Sequence, residues 1–153
     1  MSSTVKASEL PGLVGLESGP SSWMEITQDR VNQFADATED HQFIHVDPEK
    51  AAATPFGGPV AHGFLVLSLL PHLTAEHSES VEGLLMAVNY GSDRVRFIHP
   101  VPVGSRIRAR QKLLEAVEKR PGQWLIRKKV TIDIEGQQKP ALIAETLSVL
   151  FIK

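Results

Sequence analysis

A segment in the middle of the chain, residues 62–73, constrains the fold more than any other part of the sequence. Its apolar side chains point in every helical direction, and only Ser68 interrupts them; they are Phe64, Leu65, Val66, Leu67, Leu69 and Leu70. A helix that is apolar all round must be enclosed by protein. The segment is also too short, and too closely flanked by His62, Pro71 and His72, to span a bilayer. The rest of the chain must therefore enclose it.

Four strand-like runs follow this segment. Residues 83–97 form a long β-compatible run, and two further runs, starting at Ser105 and Trp124, alternate with charged or polar neighbours. A period of two is typical of half-buried antiparallel strands. The alternating positions are Ile107, Ala109, Gln111, Leu113, Ile126, Val130, Ile132 and Ile134. Residues 141–151 are largely apolar on both faces, as a central strand would be.

One enclosed helix and several long antiparallel strands predict an α+β protein of the hotdog architecture, in which a curved antiparallel sheet wraps around a buried central helix. Turn-rich segments at residues 118–123 and 136–140 separate the last strands. Residues 1–20 are small, polar and punctuated by Pro and Gly, which predicts a loose N-terminal arm that adds one short strand. We expect residues 21–153 to form a single domain.

The composition excludes several classes of function. A formal net charge of −2 gives no general attraction to nucleic acid, and no phosphate-binding Gly-rich loop or dinucleotide fingerprint follows a strand-like run. The absence of cysteine excludes disulfides, thiolate metal sites and thiol catalysis. The N-terminus lacks a cationic start followed by a long apolar stretch, so we expect no secretory signal, no membrane anchor and a cytoplasmic protein.

An aspartate and a histidine stand five positions apart, at Asp40 and His45, after a helix predicted from its N-cap at Thr27. Residues five apart on a helix lie about 140° from each other, so these two side chains can converge only across a turn. Asp47 precedes Pro48, which is typical of an N-cap followed by the first residue of a new helix. An acid and an imidazole held between two helices resemble a proton-transfer pair.

From about Trp23 to its C-terminus, the chain resembles the MaoC-like hydratases and dehydratases, which include (R)-specific enoyl-CoA hydratases and the NodN-like proteins. In the family motif an aspartate is followed five residues later by a histidine, and a His-Gly pair then opens the central helix. Asp40, His45, His62 and Gly63 occupy these positions here. The match is specific because the spacing and the residue types agree together.

Four positions inside the motif depart from the hydratases that match it best. Those enzymes carry Gly-Asp-x-Asn-Pro-Leu-His, whereas residues 39–45 are EDHQFIH. Gln42 in place of Asn and Phe43 in place of Pro resemble the NodN-like branch. Residues 95–108 resemble the later strand and turn of the family.

The resemblance implies hydration of an α,β-unsaturated thioester, or the reverse dehydration, within fatty acid metabolism. This reaction needs a base for water, an acid for the α-carbon and a donor for the enolate oxygen. Asp40 and His45 would supply the base and the acid; which is which stays open, and we favour Asp40 as the base. The N–H of Gly63 would bind the enolate oxygen. His62 is interpreted as structural, with direct catalysis or substrate contact as the alternative, while Phe43 either lines the acyl tunnel or fills the core.

We further expect a homodimer and an acyl thioester substrate carried on coenzyme A or acyl carrier protein, with no metal or redox cofactor. His41 and His45 have the i, i+4 spacing of two metal ligands, yet a helix boundary follows them and no HExxH glutamate is present. A row of arginines could meet the phosphates of coenzyme A, although such a row is more often a solvated outer face. The row comprises Arg106, Arg108 and Arg110.

Two other functions are compatible with the sequence. Hydrolysis of the thioester, which other hotdog proteins perform, would need a carboxylate on the central helix, and residues 64–70 contain none. A non-catalytic acyl-CoA-binding module would need neither Asp40 nor His45. The intact pair therefore favours hydration over both.

Overall fold

The computed structural model describes residues 3–153 and has the predicted hotdog fold. Its helices are α1 Gln28–Thr38, α2 Phe43–Val46, α3 Pro48–Ala52, α4 Gly63–Ser68 and α5 Leu70–Ala75. Its strands are β1 Thr4–Val5, β2 Glu17–Ser18, β3 Met24–Glu25, β4 Ser80–Val81, β5 Leu84–Phe97, β6 Arg106–Arg120, β7 Gln123–Ile134 and β8 Leu142–Ile152. A 3-10 helix, Ala7–Leu13, lies between β1 and β2.

The main sheet contains six strands, and its four long strands lie in the order β6, β7, β8, β5. All of these neighbours are antiparallel. Strand β8 pairs with β7 on one side and with β5 on the other, which confirms the central strand predicted from residues 141–151. The short strands β2 and β3 both pair with β6, so the strand predicted for the N-terminal arm is present.

The core lies between the inner face of the sheet and the helices α4 and α5. Ile107, Ile132 and Leu142 are completely buried on the sheet, and Leu65 and Leu70 cover them from the helices. The predicted alternation is confirmed in β6 and β7, because Ile107, Ala109, Gln111, Ile126, Val130, Ile132 and Ile134 are all buried, while Leu113 is half-buried. Each large apolar side chain buried in this way contributes about 1.5–3 kcal/mol.

The central helix differs from the predicted segment in two respects. Leu69 separates α4 from α5, because Pro71 has no N–H to donate to Leu67 and so interrupts the helical hydrogen bonds. The prediction that protein encloses every side is wrong at Phe64, which is 67% exposed and whose ring lies edge-on to that of Phe97, 5.9 Å away between centroids. A single chain therefore leaves part of α4 uncovered. No helix in the described part of the chain has the length and apolar content to cross a bilayer.

The N-terminal arm packs against the far end of the sheet. Leu10, on the 3-10 helix, is buried in a second apolar cluster with Val81, Trp124 and Ile126. Strand β1 also pairs in parallel with β4. These contacts fix the arm more firmly than the composition of residues 1–20 predicts.

Strand β5 is the last strand of the sheet and pairs on one side only. Its exposed apolar side chains are Leu84, Leu85, Met86, Val88, Tyr90 and Phe97. A long apolar edge strand offers unpaired N–H and C=O groups to another chain. This edge is therefore a surface on which a second strand could pair.

Candidate active site

Asp40 lies just beyond the C-terminal end of α1. As predicted, Thr27 caps the N-terminal end of this helix, accepting the N–H of Arg30 at 3.1 Å. Glu39 adopts the left-handed conformation, with φ at 60°, and ends the helix. Asp40 is exposed, and its carboxylate accepts the N–H of Gln42 at 3.4 Å. The polypeptide turns here and enters α2.

His45 lies on α2 and is buried, with 8% of its surface exposed. Its Nδ1–H donates to the carbonyl oxygen of Val60 at 2.6 Å, because a carbonyl can only accept a hydrogen bond. The Nε2 atom of a neutral His45 therefore carries a lone pair. Gln28 on α1 donates to the carbonyl of His45 at 2.8 Å and so holds α2 against α1. As predicted, Asp47 then caps α3.

His62 precedes α4 and is almost completely buried. Its Nε2–H donates to the carbonyl oxygen of Asp40 at 2.9 Å. Its ring stacks on that of His45, with 3.8 Å between centroids, and lies 4.9 Å from the ring of Phe34. Among the described residues, nothing forms a hydrogen bond with its buried Nδ1. His62 thus connects the N-terminal end of α4 to the loop that carries Asp40.

Burial lowers the pKa of His45, because the charged imidazolium is poorly solvated there. The hydrogen bond to Val60 opposes this effect and His62 adds to it, while the Asp40 carboxylate raises the pKa. The net effect is a pKa below the usual value for histidine. His45 is therefore neutral at neutral pH, and its Nε2 is available as a hydrogen-bond acceptor.

The structure brings Asp40, His45 and His62 together. One carboxylate oxygen and one ring nitrogen from each histidine all lie within 4.8 Å of one another. Asp40 and His45 thus converge across the turn, as their spacing requires. Their catalytic roles stay predictions.

The same three residues form a donor set that could ligate a divalent cation. The spacing of His41 and His45 does not produce this set, because His41 instead contacts Asp36 at 2.8 Å. Both histidines of the set already use one nitrogen on a backbone carbonyl, which leaves one nitrogen each. The expectation of no resident metal stays a prediction.

Gly63 is the first residue of α4, so its N–H has no acceptor within the helix. The ring of Phe97 packs directly against this residue. A Cβ atom at Gly63 would lie 2.9–3.1 Å from three ring carbons of Phe97. The position therefore requires glycine for space, and a role of its N–H in binding an oxyanion stays a prediction.

The structure bears on two further predictions, one for the side chain of Phe43 and one for the arginine row of β6. Phe43 lies on the four-residue helix α2 and is 43% exposed, so the proposal that it fills the core is wrong. The arginine row of β6 forms ion pairs on the sheet surface, which favours the outer-face interpretation. Arg106 pairs with Glu135, Arg110 pairs with Asp133 at 2.8 Å, and Arg108 lies 4.3 Å from the centre of the Trp23 ring.

Lys128 is an inward-facing charged residue that was not predicted from the sequence. Lys128 stands between Ile126 and Val130 in β7, at a position where the alternation directs the side chain toward the core. It donates to the buried Gln111 at 3.2 Å. The period of two was the signal that could have identified it.

The sequence matches the family model for the MaoC like domain over residues 12–136. 3-Hydroxyacyl-thioester dehydratase Z of Mycobacterium tuberculosis (strain ATCC 25618 / H37Rv) is 48% identical over 139 residues, which cover 91% of each chain. Nodulation protein N of Rhizobium meliloti (strain 1021) is 46% identical and aligns with 95% of this chain and 91% of its own. The solved structure of an (R)-hydratase from A. caviae involved in PHA biosynthesis superposes with a TM-score of 0.72 at 25% identity, covering 88% of this chain and 94% of that one. The protein belongs to the MaoC-like dehydratase family.

Proposed function

We propose that this protein is a hydro-lyase that adds water across the double bond of a trans-2-enoyl thioester to give the (R)-3-hydroxyacyl thioester, and that catalyses the reverse dehydration. The observation that carries the proposal is the convergence of the Asp40 carboxylate and a neutral His45 beside the first residue of α4. The names of two relatives, a 3-hydroxyacyl-thioester dehydratase and an (R)-hydratase, support it. The carrier is coenzyme A or acyl carrier protein.

Asp40 is the base in this proposal. Its carboxylate takes a proton from water while the water oxygen bonds to the β-carbon. A neutral His45 has no proton on Nε2 to give, so in this proposal Asp40, and not His45 as expected from the sequence, returns that proton to the α-carbon. His45 orients the water, because its Nε2 has a lone pair with which it accepts the second O–H. No proton is gained or lost overall, and no metal or redox cofactor takes part.

The negative charge that develops on the thioester oxygen needs a donor. Gly63 is the proposed donor, because its N–H has no helical partner and lies at the positive end of α4. The ring of Phe97 packs beside this residue. A preorganised donor of this kind is commonly worth about 3 kcal/mol of transition-state stabilisation.

The proposed assembly is a homodimer that pairs along β5. This strand pairs on one side only in a single chain and exposes several large apolar side chains. Phe64 on the uncovered side of α4 is also exposed. Pairing of two sheets would satisfy the free edge and reduce the exposed apolar surface.

The absorbance of crotonyl-CoA at the enoyl thioester band tests the proposed reaction. Hydration predicts loss of the conjugated chromophore without release of free thiol, and 3-hydroxybutyryl-CoA as the product. Release of thiol would instead indicate hydrolysis, although α4 and α5 carry no carboxylate to support it. Binding of the thioester without any chemical change would favour a non-catalytic acyl-CoA-binding module.

A further inference from the structure

A cavity of about 650 Å³ lies beside the second half of the central helix, between that helix and the inner face of the sheet. Leu67, Leu70, Pro71 and Thr74 line it from the helix. Leu67 lies on α4, four residues after Gly63, whereas Leu70, Pro71 and Thr74 lie on α5. The two helices that follow the candidate active site therefore form one wall of this cavity.

The sheet presents a polar patch to the cavity instead of the usual apolar surface. In antiparallel pairs, residues directly opposite each other lie on the same face. Lys128 of β7 lies opposite Thr146 of β8, which in turn lies opposite Ser92 of β5. Ser148 and Asn89 form the next opposed pair, and all five residues line the cavity. Polar side chains on an inner face need partners, so this patch suits a ligand with polar groups.

Lys128 is the one cation among the residues that line the cavity. Its Nζ donates to the Oε1 atom of Gln111 at 3.2 Å, and the amide nitrogen of Gln111 donates to Ser78 at 3.2 Å. Gln111 is therefore locked in one orientation. Within residues 3–153, no Asp or Glu forms an ion pair with Lys128. Glu79, an exposed residue that also lines the cavity, acts on Lys128 through its charge and forms no ion pair with it in the described part of the chain.

The ammonium of Lys128 forms no ion pair with a carboxylate among residues 3–153, so an anionic group of a ligand would stabilise it. Burial lowers the pKa of Lys128, since the charged form is poorly solvated, and Glu79 only partly offsets this effect. An ammonium has three N–H donors, of which Gln111 takes one. A carboxylate entering the cavity could accept the others and would offset the buried charge.

On the basis of the proposed function, we propose that the cavity receives the far end of the acyl group and that Lys128 selects acyl thioesters whose far end carries a carboxylate. The methylene chain would pack on the apolar walls of the cavity, which include Leu10, Val81 and Leu147. The carboxylate would reach Lys128. A chain that ends in methyl would leave the ammonium without an anion.

The test compares medium-chain trans-2-enoyl-CoA esters with ω-carboxy counterparts of the same chain length. The wild-type protein should hydrate the ω-carboxy ester with the higher kcat/KM. Lys128→Met keeps the stem and removes the charge, so it should lower kcat/KM for the ω-carboxy ester by at least ~10-fold while leaving or improving that for the methyl-ended ester. Lys129→Met is the matched control, because the neighbouring lysine is exposed on the opposite side of β7 and should change neither value.

Binding of saturated acyl-CoA ligands separates this inference from the proposed reaction. Octanoyl-CoA and its ω-carboxy counterpart cannot be hydrated, so their Kd values report recognition alone. Tighter binding of the ω-carboxy ligand, lost in Lys128→Met and in Lys128→Gln, would support the inference even if no enoyl thioester reacted. Equal Kd values for both ligands, or a preference that persists in both folded variants, would overturn it whether or not hydration occurs.

Discussion

The imidazole of His62 stacks on the imidazole of His45 with 3.8 Å between ring centroids and 24° between ring planes. Each ring donates one N–H to a backbone carbonyl, His45 to Val60 and His62 to Asp40. These bonds fix the tautomers, and one ring nitrogen of each histidine lies within 4.8 Å of an Asp40 carboxylate oxygen. The backbone thereby orients the rings of both histidines, and we expect His62 to be the positioning residue of the proposed catalytic pair.

Replacing His62 tests this positioning role. His62→Ala should lower kcat by about tenfold to a hundredfold with little change in KM, because loss of the stacking ring and of the bond to Asp40 misplaces the pair. His62 also lowers the pKa of His45, so the variant should move the acidic limb of the pH–rate profile that reports His45 to higher pH. A purely structural residue would lower the thermal stability and leave that limb in place, and this result would contradict the role.

The lowered pKa of His45 predicts a pH dependence of the free energy of unfolding. An unfolded histidine titrates near about 6.5, and His45 titrates lower in the folded protein. Between these two values the unfolded state binds more protons, so this contribution to stability is complete above the unfolded pKa and is lost as the pH falls through the folded pKa. Urea denaturation from neutral to acidic pH should show a steeper loss for the wild-type protein than for His45→Gln. Equal pH dependence in the two proteins would be inconsistent with a buried, neutral His45.

Gly63 allows the N–H donor and the side-chain space to be tested separately. Gly63→Pro removes the N–H, and the first turn of a helix tolerates proline, so kcat should fall by about 10²-fold or more. Gly63→Ala keeps the N–H but places a Cβ against the ring of Phe97. Gly63→Ala combined with Phe97→Leu relieves this contact and serves as the control, which should retain more activity than Gly63→Pro. Turnover of a stable Gly63→Pro protein within a few-fold of the wild type would place the oxyanion elsewhere.

The proposed dimer predicts that a charge on β5 separates the subunits. Val88 is 44% exposed on this strand, and Val88→Lys should shift the protein toward monomer at micromolar concentration, because a lysine on an edge strand opposes pairing. Val117→Lys, at an exposed apolar residue of β6, is the matched control and should leave the assembly unchanged. Sedimentation of the wild-type protein as a monomer would refute the dimer.

Local chemistry made much of the fold predictable. Thr27 and Asp47 cap the helices predicted for them, because a short polar side chain before a helix satisfies a free N–H. The period of two placed Ile107 and Ile132 inside, because alternate residues of a strand share a face. The spacing of Asp40 and His45 also required a turn, which the structure contains.

The features that the sequence did not reveal depend on contacts between distant parts of the chain. The apolar pattern marks Phe64 and Leu65 alike, yet Leu65 is buried and Phe64 is exposed, so the pattern cannot tell which side stays open. Phe97 lies far along the chain from Gly63, and no local signal indicates that its ring packs there. The stack of His45 on His62 likewise joins α2 to the residue before α4 and could be found only in three dimensions.

The turnover of crotonyl-CoA by Asp40→Asn, measured against the wild-type protein, tests the central claim most directly. Asparagine keeps the shape of the side chain and removes the carboxylate that takes the proton from water. A folded Asp40→Asn protein should lose at least ~10²-fold in kcat, the usual scale of general acid–base catalysis, while it still binds butyryl-CoA like the wild type. Near-normal turnover by this variant would contradict the assignment of Asp40 as the base.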